Sequence, residues 1–265
     1  MPCGAKKFEY MHNTYTTQII YDKKEVWDRS GGAQMKVNRI KTYVKGLDEV
    51  IQGGIPDGSV ILVAGKPGTM KSSFAFNILY HNANREDKSG VYVTLEQGRE
   101  SLLTNMDGLG MKLGGLEKEI SVLDLGMIRK KLVQLTNQTW MEVFKMYLKN
   151  LKKNMDINLV VIDSLPILEV MARFDSPREE LFHFFEWLRD MQVTAFLITE
   201  MEQGSEKFCH NSEDFLADGI IHLDLRRDET DVKLWLSVVK MRQTNHKRNY
   251  LPLIFDKDGF EVVTD

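Results

Sequence analysis

The sequence predicts an α/β protein, a mostly parallel sheet flanked by helices and finished by antiparallel strands, on three observations. Short apolar runs at Val60 to Ala64, Val91 to Leu95, Leu159 to Ile162 and Ala195 to Ile198 have the character of strands buried on both faces. The stretches between them place apolar residues at helical spacing. After Asp218 the chain turns to successive strand-like runs separated by turn signals.

The first 37 residues mix Tyr10, Tyr15, Tyr21 and Trp27 with Lys and Asp, lack periodicity and close on Ser30-Gly31-Gly32. They are expected to form an irregular N-terminal extension, with one compact domain over 38–265. Thr139 and Glu142 make a capping box opening one helix, and Leu181, Phe184, Phe185 and Leu188 build the buried face of another. Beyond Asp218 the strands are Ile220 to Leu225, Leu234 to Val239, and Leu253 to Phe255 returning through Asp258-Gly259 to Val262. Arg129-Lys130-Lys131 reads as an exposed helix face and Cys209-His210 as a surface loop.

Composition narrows the function. With 43% hydrophobic residues in 265, the chain builds a core rather than a disordered segment. Its net charge of -3 gives no global attraction to nucleic acid or an acidic membrane, so a nucleic-acid site would need a local patch. Two cysteines, Cys3 and Cys209, make neither a disulfide framework nor a tetrahedral zinc site and suit a reducing compartment. No apolar run approaches the roughly 18 residues of a membrane span, and residues 1–15 lack the apolar core of a secretory signal, so the expected location is cytoplasmic.

The chemistry begins after the strand Val60 to Ala64. Gly65-Lys66-Pro67-Gly68-Thr69-Met70-Lys71-Ser72-Ser73, followed by a helical stretch, has the context of a phosphate-binding P-loop. Glycines let backbone N–H groups turn toward phosphates, and a helix N-terminus favours anions; Lys71 would neutralise the β/γ oxygens and Ser72 would hold magnesium. Met70 stands where the pattern has its second glycine, and is expected to be tolerated only at negative φ, with Gly68 supplying the flexibility. The strand Leu159 to Ile162 ends in Asp163, a second magnesium partner in P-loop NTPases, although alone it reads equally as a helix cap. Glu96 follows Val91 to Leu95 on the same rim of the sheet, where it could orient and deprotonate an attacking water; a solvated acid at a strand end is the other reading.

With these residues in view, the chain from about Arg39 to Val263 resembles the KaiC-like branch of the RecA-superfamily ATPases, of the single-domain kind common in archaea. Gly46-Leu47-Asp48-Glu49 and Gly53-Gly54-Ile55-Pro56-Asp57-Gly58 are similar to the family's entry segment. Arg178 to Leu188, Thr199-Glu200 and Ala217-Asp218-Gly219-Ile220-Ile221 are similar to its later helix, sensor strand and late strand signature. Glu96 matches the first of paired catalytic glutamates, while Gln97 stands where the second is commonly Glu. Lys240-Met241-Arg242-Gln243-Thr244 resembles the K-M-R-G-T motif, with Gln243 replacing glycine.

The resemblance implies a RecA-like P-loop NTPase core with ATP and Mg2+ as cofactors. It also implies that Lys240 and Arg242 reach the γ-phosphate held by a neighbouring subunit, hence a homo-oligomeric ring, expected to be a hexamer, serving as a switch or assembly factor. Both cations follow an apolar strand with no acidic partner nearby in sequence, which agrees, although a solvated basic strand end would look the same. A protein partner is compatible with this reading. Two alternatives stand beside it: an ATP-dependent DNA-binding protein of recombinase type, and a weakly hydrolysing ATP-binding interaction module. The segment from Glu200 through Glu202 and Glu206 to Glu213-Asp214 is acidic and would repel phosphate, which disfavours DNA. Met70 and Gln97 motivate the slow module.

Overall fold

The fold is that of a computed structural model, which describes residues 37–125, 139–202, 204–228 and 230–264. The expected extension over 1–37 lies outside these residues except for Val37, as does the basic run at 129–131.

Nine strands form one sheet. Five parallel strands make its body: β3 (Val60–Gly65), β4 (Gly90–Thr94), β5 (Ile120–Asp124), β6 (Leu159–Asp163) and β7 (Thr194–Glu200). The chain then adds β8 (Gly219–Asp228), parallel to β3, and the antiparallel run β9 (Asp231–Met241), β10 (Tyr250–Asp256) and β11 (Gly259–Val262). The spatial order is β11-β10-β9-β8-β3-β7-β6-β4-β5, which puts β3 in the interior of the sheet. A separate pair, β1 (Arg39–Ile40) with β2 (Ile55–Pro56), encloses the short α1 (Leu47–Val50). The mostly parallel sheet with antiparallel C-terminal strands is the expected one; β1, β2 and the edge strand β5 were not expected.

Helices cover the body on both faces. On one, α2 (Lys71–Glu86) and α3 (Arg99–Gly108) meet Ile61, Val63, Tyr92 and Val161 through Phe74, Phe76 and Leu102. On the other, α4 (Trp140–Met155), α5 (Leu165–Ala172) and α6 (Pro177–Asp190) meet Val60, Leu62 and Val160 through Phe144, Leu168 and Phe184. Every residue of β3, β4 and β6 is buried, so their sequences are continuously apolar where a half-exposed strand would alternate. Thr139 caps α4 as expected, with the Glu142 N–H and carboxylate completing both halves of the box. Leu181, Phe184, Phe185 and Leu188 are buried, whereas Phe182, one position off that stripe, is exposed.

Cys209 departs from expectation. It is buried at 7% exposure rather than lying on a surface loop, and burial followed by the neighbouring Glu213 pushes its thiol far up, which keeps it protonated. Next to it, Glu213 is fully buried and Asn211 bridges it to Glu169 on α5, its backbone donating to Glu213 and its side chain to Glu169. Glu213 therefore does not add to the outward acidity of the segment after β7, where Glu202 and Glu206 are exposed.

Candidate functional site

The five parallel strands of the body end on one rim, and the phosphate loop, Glu96 and Asp163 gather there. Gly65 ends β3; a Cβ at this position would stand 2.4 Å from the Leu223 carbonyl oxygen and 2.6 Å from Thr69 Oγ1, so only glycine lets the loop turn here. Lys66, Pro67, Gly68 and Thr69 form the turn, and Thr69 is buried with its hydroxyl donating to the Lys66 carbonyl at 2.8 Å. Lys71, Ser72 and Ser73 are the first turn of α2, where the unpaired backbone N–H groups and the positive end of the helix dipole favour an anion.

Met70 corrects an expectation. Its φ is 62° and its ψ 26°, the left-handed conformation that glycine normally supplies, so the negative φ foreseen for it is not adopted. Gly68 is left-handed as well, at φ 83°. The loop therefore keeps the shape of the glycine pattern at both positions, at a cost of about 1–2 kcal/mol for the side chain at Met70. Packing of Met70 against the core offsets part of that cost.

The Lys71 ammonium donates to the Lys66 carbonyl at 3.0 Å. Burial pulls its pKa down, opposed by Glu200, Asp163 and Glu96, which surround it with carboxylates. Asp163 at the end of β6 accepts from the Tyr92 hydroxyl at 2.5 Å and from Ser72. Burial raises the Asp163 pKa and these hydrogen bonds oppose the rise. Tyr92 is held well above an ordinary phenol, first by its own burial and then by the carboxylate, so it acts as a donor. Ser72 and Asp163, expected to share a metal, thus share a hydrogen bond, and their oxygens are the hard ligands that magnesium prefers.

Glu96 follows β4 and is exposed; the Ser164 hydroxyl donates to its Oε1, which ties it to the residue after Asp163. Gln97 accepts from Asn105 on α3 at 3.4 Å, and both line a cavity of about 330 Å³ with Met106 and the loop from Gly68 to Ser73. A larger cleft of about 660 Å³ at the start of α6, among Pro177, Phe182 and Leu216, shares no residue with the loop. Chemistry favours the smaller cavity, because it is lined by the whole loop from Gly68 to Ser73 and by Lys71, a cation that Glu200, Asp163 and Glu96 surround. Tyr92, Ser164 and Asn105 were missed from sequence. Tyr92 was open to discovery, because its place on a strand two residues before Thr94 aims it at the face where α2 begins.

Lys240 and Arg242 are not on this rim. Gly219 pairs with Met241, the Arg242 N–H donates to the Asp218 carbonyl, and the Asp218 N–H donates to that of Val60, the first residue of β3. Both cations therefore stand at the opposite end of the sheet from Gly65. The absence of a nearby acid in sequence does not hold in space: Arg242 Nη1 donates to Asp218 Oδ1 at 2.8 Å, and Lys240 Nζ donates to the carbonyls of Asp214 and Phe215. Gln243, like Met70, is left-handed, with φ 56°.

The family described as "ATPase: KaiC" matches residues 40–265. The chain belongs to the KaiC ATPase family. A UPF0273 protein of Pyrobaculum aerophilum is 30% identical over 242 residues, 87% of this chain and 84% of the relative. A second, from Sulfurisphaera tokodaii, is 27% identical, with coverages of 87% and 84%. The circadian clock oscillator protein KaiC of a Picosynechococcus species is 26% identical over 88% of this chain, which spans 46% of that longer protein. The crystal structure of a KaiC-like protein from Pyrococcus horikoshii superimposes with a TM-score of 0.75 at 29% identity, covering 86% of this chain and all of that one. The RecA-like fold is thereby shown, and membership of the family supports nucleotide binding of the ATPase type. Among the described residues, no helix is long and apolar enough to cross a membrane.

Proposed function

We propose that this KaiC-family protein binds Mg-ATP on the rim formed by Gly65 to Ser73 and hydrolyses it slowly, as part of a head-to-tail homo-oligomer in which each site is completed by a neighbour. The observation that carries the reading is the placement of two cation sets at opposite ends of β3. That strand has six residues, so the ends lie roughly 16–20 Å apart at about 3.3 Å per residue. Arg242 is thus beyond reach of its own Lys71, which supports a reading in which it meets the rim of another copy.

On the nucleotide rim, backbone N–H groups of the loop and of the first turn of α2 would bind phosphate oxygens, and Lys71 would neutralise them. Ser72 and Asp163 would hold magnesium, which supplies charge neutralisation between the phosphates. Glu96, steadied by Ser164, would take the proton of the attacking water. Gln97 occupies the neighbouring position with an amide bound to Asn105, leaving a single carboxylate as base, and slow turnover follows from that. The recombinase reading is weaker, because Glu202 and Glu206 face solvent after β7 where a DNA strand would need cations.

The test is phosphate release from ATP with magnesium present or chelated, on wild type and Lys71→Ala, beside equilibrium binding of a fluorescent ATP analogue. Magnesium-dependent release, with roughly 100-fold or more loss of binding on removing the half-buried cation, is expected. Wild-type binding by Lys71→Ala would place the phosphate site elsewhere.

A further inference from the structure

We propose that Asp218 is the positioning residue of Arg242: its carboxylate sets the direction of the guanidinium and ties it to the strand that carries the phosphate loop. The inference rests on the reading that Arg242 acts across a subunit boundary and adds the part that aims it.

Asp218 is the only described residue bound at once to β3, to α6 and to the segment after β9. Its Oδ2 accepts from the Val60 N–H at 3.0 Å and from Arg189 Nε at 2.9 Å, and its Oδ1 accepts from Arg242 Nη1 at 2.8 Å. Arg189 Nη2 adds bonds to Asp218 Oδ1 at 3.3 Å and to the Leu216 carbonyl at 2.6 Å. The backbone is engaged as well: the Asp218 N–H donates to Val60 and its carbonyl accepts from Arg242 at 2.8 Å. The Asp218 side chain is 14% exposed and that of Arg242 54%, so the carboxylate is fixed inside while part of the guanidinium stays open to solvent.

Charge counting says what this arrangement is for. One carboxylate faces two guanidinium groups, and Arg189 alone would neutralise it, so the second cation is in excess. Lys240, anchored on the Asp214 and Phe215 carbonyls beside it, also lies in the field of the Asp214 carboxylate, so the excess charge rests on Arg242. A pair built only for stability would need no second guanidinium. A surplus of positive charge, held in one direction by a carboxylate the solvent hardly reaches, fits an incoming anion such as a terminal phosphate. Asp218 also reaches Val60 at one end of β3 while Gly65 at the other begins the phosphate loop, so the same strand links the aimed cation to its own protomer's site.

Asp218→Asn in the full chain separates aiming from folding. An amide retains one oxygen for Val60 and Arg189 and turns an NH2 group toward Arg242, which can no longer be held. Expected is a fall in kcat on the order of 10- to 100-fold, as for a misplaced catalytic group, with ATP-analogue affinity within about twofold of wild type and an unchanged oligomeric mass. The loss should not multiply with Arg242→Ala: the double variant, read in single turnover at high enzyme concentration, should match Arg242→Ala alone. Asp218→Glu, which keeps the charge and displaces it by one methylene, reads the same effect if the amide variant fails to fold. An unchanged or raised kcat in a folded Asp218 variant, or a loss that multiplies with that of Arg242→Ala, overturns the proposal. Full activity in Arg242→Ala would instead remove the reading beneath it.

Discussion

The two ends of the sheet are built on different principles. At the nucleotide rim one half-buried cation, Lys71, sits among three carboxylates, of which Asp163 is held by Tyr92 and Glu96 by Ser164. At the far rim Arg189 and Arg242 share the Asp218 carboxylate, Lys240 meets a pair of backbone carbonyls, and Arg242 is largely exposed. Under the proposal, the first end would receive an anion accompanied by a cation, since its carboxylates would need magnesium to share the space with phosphate. The second would receive an anion alone. In the proposed reading, one protomer carries two incomplete halves of a site, and each half is the complement of the other.

The largest test of that contrast breaks the far rim. Arg242→Ala should lower turnover by roughly 10³ to 10⁵, the range of an arginine supplied in trans, while leaving ATP-analogue binding intact. Mixing it with inactive Lys71→Ala should restore part of the rate, because some interfaces then join an intact loop to an intact arginine. Hetero-oligomers seen by mass measurement but no more active than the summed parents would show that the rims do not meet. Glu96→Gln attacks the near rim, and should keep nucleotide while losing roughly 10² to 10⁴ in steady-state rate. A rate within a factor of two of wild type would transfer the role to Glu200, which ends β7 opposite Gly65.

A smaller effect is expected from the carboxyl pair beside the far rim. Burial, followed by contact with Glu213, raises the Glu169 pKa to about 8. The folded protein therefore holds a proton that the unfolded chain, with an ordinary carboxyl, releases near pH 4.5. Stability should be intact below that pH, fall between about 4.5 and 8 by less than roughly 1.4 kcal/mol per pH unit, and level off above. Melting temperatures across this range should show the decline in wild type, and Glu169→Gln should flatten it. An equal slope in both would acquit the pair.

The smallest effects compare the two residues that stand where the family pattern has glycine. Gln243→Gly should stabilise by about 0.5–1 kcal/mol, the relief of a left-handed side chain less the backbone entropy of glycine. Met70→Gly relieves the same strain but gives up a side chain packed on the core, so its gain should be smaller or negative. Chemical denaturation orders the pair, and the reverse order would mean that Met70 packs too loosely to matter.

The body of the sheet was legible in sequence because its strands are buried on both faces, leaving unbroken apolar runs bounded by glycine and acid. Edge strand β5, with three of five residues only half-buried, has no such run and went unseen. The phosphate loop was legible because its residues are contiguous. Asp218 was visible only as part of a resemblance, since its partners Val60, Arg189 and Arg242 are far apart in the chain and meet only in the folded sheet. Backbone angle was the least legible property. Met70 was expected to avoid the left-handed region, but the turn between β3 and α2 fixes the angle whatever residue occupies it.

If the two rims meet as proposed, the position of β3 between them makes each protomer a polar unit with a donor end and an acceptor end. Two such units related by a twofold axis would face like against like and complete no site at all. Association by repeated head-to-tail addition behaves differently: an open chain of subunits has one complete site fewer than its number of members, and only a closed circle has as many sites as subunits. Specific activity per subunit should therefore climb with concentration toward a ceiling set by closure rather than by occupancy, and each subunit lacking the donor end should cost one site, lowering activity in proportion to its share of the mixture.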